Sequence, residues 1–214
     1  MKYNHYIFDF DGTLGDSMAC SIVATQQAFK AFGLDIPTEQ DITYYMGIPI
    51  EVSFLKMSQR TLSEEELEQL LTLFRQKYKA YETQYLKPFK HIAEVLRLLV
   101  EADKTLFVVS SKKTEVLIRN LESIGLYQYI TEAIGSDKVK AYKPNPDGIL
   151  TIVNKYDLEL KQSVYIGDAI FDIQMAKAAG VDSIAVTWGS HSKEDLSKEH
   201  PSYIIEDPTE LTRL

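Results

Sequence analysis

Short, almost wholly apolar runs alternate along this chain with longer stretches in which apolar positions recur every three or four residues. Tyr6-Ile7-Phe8, Leu106-Phe107-Val108-Val109, Val164-Tyr165-Ile166 and Ile184-Ala185-Val186 are of strand length and rich in β-branched or aromatic residues. Their unbroken apolarity predicts strands covered on both faces, as in a parallel sheet. A weaker run at Ala133-Ile134 predicts a fifth strand, and Tyr203-Ile204-Ile205 a late edge strand. Between them, Ile92, Val95, Leu96 and Leu99 recur at helical spacing. Gly125 is placed to end the helix holding Val116, Leu117, Leu121 and Ile124, and Gly180 the one holding Ile173, Met175, Ala176 and Ala179. This alternation predicts an α/β open sheet with helices on both sides.

Residues 17–85 break the alternation. Asp16 is expected to cap a helix running to Phe32, with Gly33 as its stop. Ser63-Glu64-Glu65-Glu66 fits a capping box opening a long helix through Leu67, Leu70, Leu71, Phe74, Tyr78 and Tyr81. Thr38 to Met46 and Pro49 to Met57 read as shorter helices, and no strand is convincing in this block. The expected organisation is a core of residues 1–16 and 86–214 with an all-helical insertion of residues 17–85. Its hinges fall at Leu14-Gly15-Asp16 and Leu86-Lys87-Pro88.

Composition narrows the function classes. The 214 residues carry 31 Asp and Glu against 23 Lys and Arg, a net charge of −8, which argues against nucleic acid as a partner because phosphate-backbone affinity comes from basic residues. An anionic small substrate then needs local positive charge. The single Cys20 excludes an internal disulfide and any CxxC motif, and is expected to be a reduced, buried small hydrophobe. No run approaches the ~18 apolar residues of a membrane span. The N-terminal stretch, interrupted by acids, does not read as a signal peptide, so a cytoplasmic location is expected.

The residues after each apolar run suggest the chemistry. The first run leads into Asp9-Phe10-Asp11-Gly12-Thr13, where Asp9 and Asp11 lie two apart and Gly12 allows a sharp turn. The run ending at Val109 is followed by Ser110-Ser111, and the run ending at Ile166 by Gly167-Asp168, with Asp172 one helical turn on. Lys143 stands in the loop after the weak fifth run. Ligands of open α/β sheets bind outside the carboxyl ends of the strands. Clustered carboxylates imply a bound cation, and oxygen-only ligands favour Mg²⁺. Lys143, the Ser110 hydroxyl and backbone N–H groups near Ser111 can hold a phosphoryl group. An aspartate beside that phosphorus is a competent nucleophile, and a second carboxylate can protonate the leaving oxygen and then deprotonate water. The chemistry implied is phosphoryl transfer through an aspartyl-phosphate. For Asp168 and Asp172, a helix N-terminal charge remains the competing reading.

Asp9-Phe10-Asp11-Gly12-Thr13-Leu14 resembles the first motif of the haloacid dehalogenase superfamily, Ser110 its second, Lys143-Pro144 its third and Gly167-Asp168 with Asp172 its fourth. The likeness spans nearly the whole chain and is strongest to the branch of phosphoglycolate phosphatase and β-phosphoglucomutase. It implies a Rossmann-like parallel-sheet core with an inserted helical cap domain. By that resemblance Asp9 is nucleophile and Mg²⁺ ligand, and Asp11 is acid/base and lends its backbone carbonyl to the metal. Asp168 is then a metal ligand, Asp172 a ligand or its support, and Thr13 a further support. Ser110, Ser111 and Lys143 bind the substrate phosphate. Gly15 and Ser111 depart from the usual pattern, in which a larger apolar residue and Asn are common. A cap closing over the core must present a loop to it, and Tyr44 and Gly47 are the expected contributors.

The expected activity is a Mg²⁺-dependent phosphatase, a hydrolase acting on a small phosphorylated metabolite. Phosphoglycolate, sugar phosphates, nucleotides and pyrophosphate all stay open, as does oligomeric state. The alternative is a phosphomutase, which needs a cationic cap group for a second phosphate; no Lys or Arg lies between Asp35 and Lys56. A dehalogenase has little use for Asp11. A phosphonate hydrolase needs a cap lysine, for which Lys30 and Lys56 are undistinguished candidates. A non-catalytic binding protein of the same fold is expected to have lost Asp9 or Asp11, and both are present.

Overall fold

Strand β1 (His5–Phe8) lies inside a six-stranded sheet, and its neighbours explain why its sequence is apolar at every inward position. In the computed structural model, which describes residues 2–214, the chain runs β1, β2 (Gly15–Asp16), α1 (Met18–Phe32), α2 (Glu39–Tyr44), α3 (Ile50–Met57), α4 (Glu64–Tyr85) and β3 (Lys87–Pro88). It continues through α5 (Ile92–Glu101), β4 (Thr105–Val109), α6 (Thr114–Ser123), β5 (Glu132–Ile134), α7 (Asp147–Tyr156) and β6 (Ser163–Gly167). The last elements are α8 (Ile170–Ala179), β7 (Asp182–Val186), α9 (Lys193–Lys198) and β8 (Tyr203–Ile205). The sheet order is β5-β4-β1-β6-β7-β8, with every pairing parallel.

Alternation along the strands divides the core in two. Tyr6, Phe8, Leu106, Val108, Val164 and Ile166 pack on one face against Ile92, Val95 and Leu96 of α5 and Leu117 and Leu121 of α6. Ile7, Phe107, Val109 and Tyr165 pack on the other against Ile149, Ile152 and Val153 of α7 and Met175 and Ala176 of α8. Each buried side chain of this size removes apolar area worth roughly 1.5–3 kcal/mol from water. This is the α/β arrangement expected from the apolar runs. Helix α7 starts at the end of the stretch around Lys143 that reads as a loop, and it is not among the predicted helices although Ile149, Ile152 and Val153 recur at helical spacing.

Helices α1 to α4 close around a separate cluster in which Cys20, Ala24, Ala28 and Phe29 of α1 meet Leu70, Leu71, Phe74 and Tyr78 of α4, with Phe54 and Met57 from α3. The predicted capping box at Ser63 is present: its side chain accepts from the Glu66 N–H, and the Glu66 carboxylate accepts from the Ser63 N–H. Gly33 ends α1 in the left-handed region at φ 81°. The expected cap at Asp16 is not formed. Ser17 occupies that position without a side-chain capping bond, because Asp16 is held in a two-residue antiparallel ribbon opposite Lys87 and the Ser17 hydroxyl is turned to Asp11. That ribbon joins the two crossings between the helical insert and the sheet. A second tie is the buried Glu82 of α4, whose carboxylate accepts from Arg119 Nε and Nη2, each at 2.9 Å, and from Asn120 Nδ2 on α6.

Candidate active site

Parallel strands end together, so the residues following β1, β4 and β6 meet at one edge of the sheet. Asp9 continues β1 by one residue, its N–H donating to Ile166 O at 2.8 Å, and its side chain is buried at 2% exposure. The chain then reverses over Phe10–Gly15, with the N–H groups of Leu14 and Gly15 both donating to Phe10 O. Gly12 is required in this turn twice over. Its φ is +80°, and a Cβ there would stand 2.2 Å from Asp168 Oδ2.

Four carboxylates and two ammonium groups converge beyond this turn. Lys143 Nζ donates to Asp9 Oδ1 at 2.6 Å and to Asp172 Oδ1 at 2.8 Å, and all three side chains are almost fully buried. Asp172 Oδ2 accepts from the Ala169 N–H, so both of its oxygens are engaged within the protein. Asp168 Oδ1 accepts from Thr13 Oγ1 at 3.1 Å, and its Oδ2 from the N–H and hydroxyl of Ser190, each at 2.7 Å. Asp11 Oδ1 accepts from Ser17 Oγ at 2.5 Å and lies 3.0 Å from Lys112 Nζ. Asp9 Oδ2 is buried and, among the described residues, has no hydrogen-bond partner.

That unpartnered oxygen tests whether a cation fits. Asp9, Asp168 and Asp172 offer carboxylate oxygens that all lie within 4.8 Å of one another. Three carboxylates against the single Lys143 ammonium leave an excess of negative charge in a dry space, which is costly without a further cation. The titration of the group expresses the same imbalance. Burial pushes the Asp9 carboxyl well above its usual range, against the pull of Lys143 and with further push from Asp172, Asp168 and Asp11. Burial, then Asp172, pushes Asp168 up to about 6. For Lys143, burial acts to lower the pKa, but Asp172 and Asp9 outweigh it and hold the ammonium charged. An all-oxygen donor set containing Asp9 and Asp168 suits Mg²⁺.

A cavity of about 400 Å³ opens from Asp9 and Asp11 toward the helical insert, with Ser110, Ser111 and Lys112 on the sheet side and Tyr45, Met46 and Gly47 among the residues facing them. Ser110 is buried, and its Oγ accepts from the Lys112 N–H. The Ser111 hydroxyl donates to Gly47 O at 2.7 Å, joining the sheet edge to the insert. The structure therefore brings Asp9, Asp11, Thr13, Ser110, Ser111, Lys143, Asp168 and Asp172 to one locality, with Gly47 against it. Tyr44 does not line the cavity. It is 58% exposed and stacks on His191, whose Nδ1 accepts from the Ile170 N–H. Sequence reasoning passed over Ser190 and Lys112. Ser190 lies beyond the last apolar run without a motif, and Lys112 looks like one more surface lysine in Ser110-Ser111-Lys112-Lys113.

Known proteins resemble this chain along most of its length. The chain is 32% identical over 217 residues to a Caldanaerobacter subterraneus protein named as a candidate pyrophosphatase, PpaX, covering 100% of this chain and 95% of that one. It is 29% identical over 210 residues to a phosphoglycolate phosphatase of Vibrio parahaemolyticus, covering 95% and 92%. A solved haloacid dehalogenase-like family hydrolase from Streptococcus pneumoniae superposes with a TM-score of 0.86 at 27% identity, covering 99% of this chain and 98% of that one. The sequence pattern of the haloacid dehalogenase-like hydrolases matches residues 6–186. With the family pattern matched over most of its length and the fold shared with a solved member, the chain belongs to the haloacid dehalogenase-like hydrolase family.

Proposed function

We propose that this enzyme is a Mg²⁺-dependent phosphatase that hydrolyses a small phosphate ester or anhydride through a phosphorylated Asp9. The observation that carries the reading is the buried, unpartnered Oδ2 of Asp9 beside Asp168 and within a cavity shared with Asp11. Asp9, Asp168 and the backbone carbonyl of Asp11 are the groups that would hold the ion. Bound there, Mg²⁺ supplies the positive charge that offsets repulsion between the aspartates and an anionic substrate.

The chain's own groups account for the remaining steps. Lys143 keeps Asp9 oriented and, with the Ser110 hydroxyl and the N–H of Ser111, offers donors to the phosphoryl oxygens. Asp9 attacks phosphorus, forming the acyl-phosphate bond as the bond to the leaving oxygen breaks. Asp11 gives that oxygen its proton. Asp11 then takes a proton from water, which attacks the same phosphorus, releases inorganic phosphate and restores Asp9. Each such proton transfer is worth roughly 10²–10⁴-fold. Residues 17–85 act as a lid that limits entry of water and selects the leaving group.

The proposed substrate is a small phosphorylated metabolite, with phosphoglycolate and pyrophosphate suggested by the names of the relatives, and the proposed location is the cytoplasm. Among the described residues no helix is long and apolar enough to cross a membrane. A phosphomutase remains the alternative: two cations of α4 line the cavity, of which Arg75 is already paired with Glu51 and Glu68, while Lys79 has no ion pair among the described residues and is the group such an enzyme would use for a second phosphate. The test is release of inorganic phosphate from a panel of phosphorylated metabolites, with Mg²⁺ and with chelator. Asp9→Asn is expected to lower turnover by more than about 10³-fold, the scale of removing a nucleophile. Retained turnover in that variant would refute the assignment, and sugar-phosphate isomerisation without net phosphate release would favour the mutase.

A further inference from the structure

Lys112 is the ammonium of this site that the mechanism above leaves without a task. Its backbone is pinned, with its N–H donating to Ser110 Oγ and its carbonyl accepting from the Ser136 N–H at 2.8 Å. Its side chain is only 15% exposed and reaches away from the sheet to two acceptors. One is Asp11 Oδ1 at 3.0 Å; the other is the Tyr78 hydroxyl on α4 at 3.1 Å. The ammonium also lies 4.3 Å from the centroid of the Tyr78 ring, within cation–π range. A surface lysine has no reason to be held so closely, since exposed pairs contribute little.

Asp11 is engaged through one oxygen only. Ser17 Oγ and Lys112 Nζ both approach Oδ1, while Oδ2 has no hydrogen-bond donor among the described residues. A carboxylate oxygen already facing two donors is poorly placed to carry a transferable proton. The donors come from separate parts of the fold, Ser17 at the entry to α1 and Lys112 on the loop after β4.

We propose that Lys112 is a positioning residue that, together with Ser17, holds Asp11 by Oδ1 and so presents Oδ2 to the leaving group, with Tyr78 tying this orientation to the seating of the helical insert. This rests on the reading of Asp11 as the acid and base of a phosphatase. Proton delivery then depends on α4 lying over the site, so the acid is aligned when the cavity is covered and less so when the insert swings away.

The role separates from plain structural support through its dependence on the leaving group. p-Nitrophenyl phosphate and phenyl phosphate have similar shapes, but nitrophenolate departs readily without a proton and phenolate does not. In Lys112→Met, kcat/KM is expected to fall far more for phenyl phosphate, raising the ratio of the two substrates by about tenfold or more. Lys112→Arg, which keeps a charged donor, should return the ratio toward that of the parent. Tyr78→Phe leaves Lys112 in place without its far acceptor, and should move the ratio in the same direction by a smaller factor. It also serves if Lys112→Met does not fold. An unchanged ratio in Lys112→Met and Tyr78→Phe, including equal losses on both substrates, would overturn the positioning role while leaving the phosphatase reading intact. Absence of phosphate release by the parent enzyme from every ester would overturn both.

Discussion

The ammonium of Lys143 lies 2.6 Å from Asp9 Oδ1, with both side chains sealed from water. It touches Asp172 at nearly the same distance, so one cation balances part of the charge of two acids whose third neighbour, Asp168, has no ammonium of its own.

Lys143→Met should therefore leave uncompensated buried carboxylates. In chelator the variant is expected to lose about 3–5 kcal/mol of stability, the scale of breaking a buried pair from one side. Added Mg²⁺ should recover part of the loss. Urea midpoints with and without Mg²⁺ measure both; an unchanged midpoint in chelator would show that the pair contributes nothing net.

Proton and metal should compete at Asp168. Burial and Asp172 raise its carboxyl to about 6 from an ordinary 3.8. Between those values the metal-free folded protein holds a proton that the unfolded chain has released. Its stability is thus free of this penalty below the lower value, falls as pH rises through the window, and bears the full penalty above the upper one. Mg²⁺ takes the place of that proton, so its stabilising effect should be larger at about pH 7.5 than at about pH 5. Thermal midpoints at the two pH values, with and without Mg²⁺, provide the measurement. An equal effect at both would remove Asp168 from the ligand set.

Gly12→Ala is expected to displace Asp168 rather than merely strain the turn, because the added Cβ would meet its Oδ2 at 2.2 Å in a backbone of φ +80°. The Mg²⁺ concentration for half-maximal activity should rise by about 10–100-fold, as when a residue supporting a metal ligand is lost. A normal Mg²⁺ requirement with reduced stability would instead assign the glycine to folding alone.

Ser111→Ala removes the hydroxyl that donates to Gly47 O while leaving the backbone N–H in place. Loss of one hydrogen bond of about 0.5–1.5 kcal/mol between sheet edge and insert should raise KM about two- to tenfold. The effect on kcat should be smaller. Steady-state kinetics decide it, and a fall confined to kcat would place the hydroxyl on the reacting phosphoryl group instead.

The central strands were legible because β1, β4, β6 and β7 are covered on both faces, which demands apolar residues at successive positions. Strands β5 and β8 are three residues each at the sheet edges, where less burial leaves a fainter pattern. Helix α1 starts one residue later than the expected cap at Asp16 would place it, for a tertiary reason. A capping residue is recognisable by type, but Asp16 and Ser17 are claimed by Lys87 across the ribbon and by Asp11 across the turn.

Among the candidate residues, Asp9, Asp11, Ser110, Lys143 and Asp168 were named from their places after apolar runs, since parallel strands must end at one edge. Their partners were not. Ser190 approaches Asp168 from 22 positions along the chain, and Tyr78 reaches Lys112 from 34. Tyr44 was expected over the site and instead packs on His191, because the direction of a loop side chain depends on how the insert is seated.

The order of apolar and polar residues alone was enough to determine a parallel α/β sheet, a helical insertion and the acids that follow the strands, because burial and chain geometry act locally on each segment. Which oxygen of each acid is engaged, which lysine balances it and which helix covers it were decided only when distant segments packed. Those contacts arise from the sum of many weak apolar burials that no single stretch of sequence encodes.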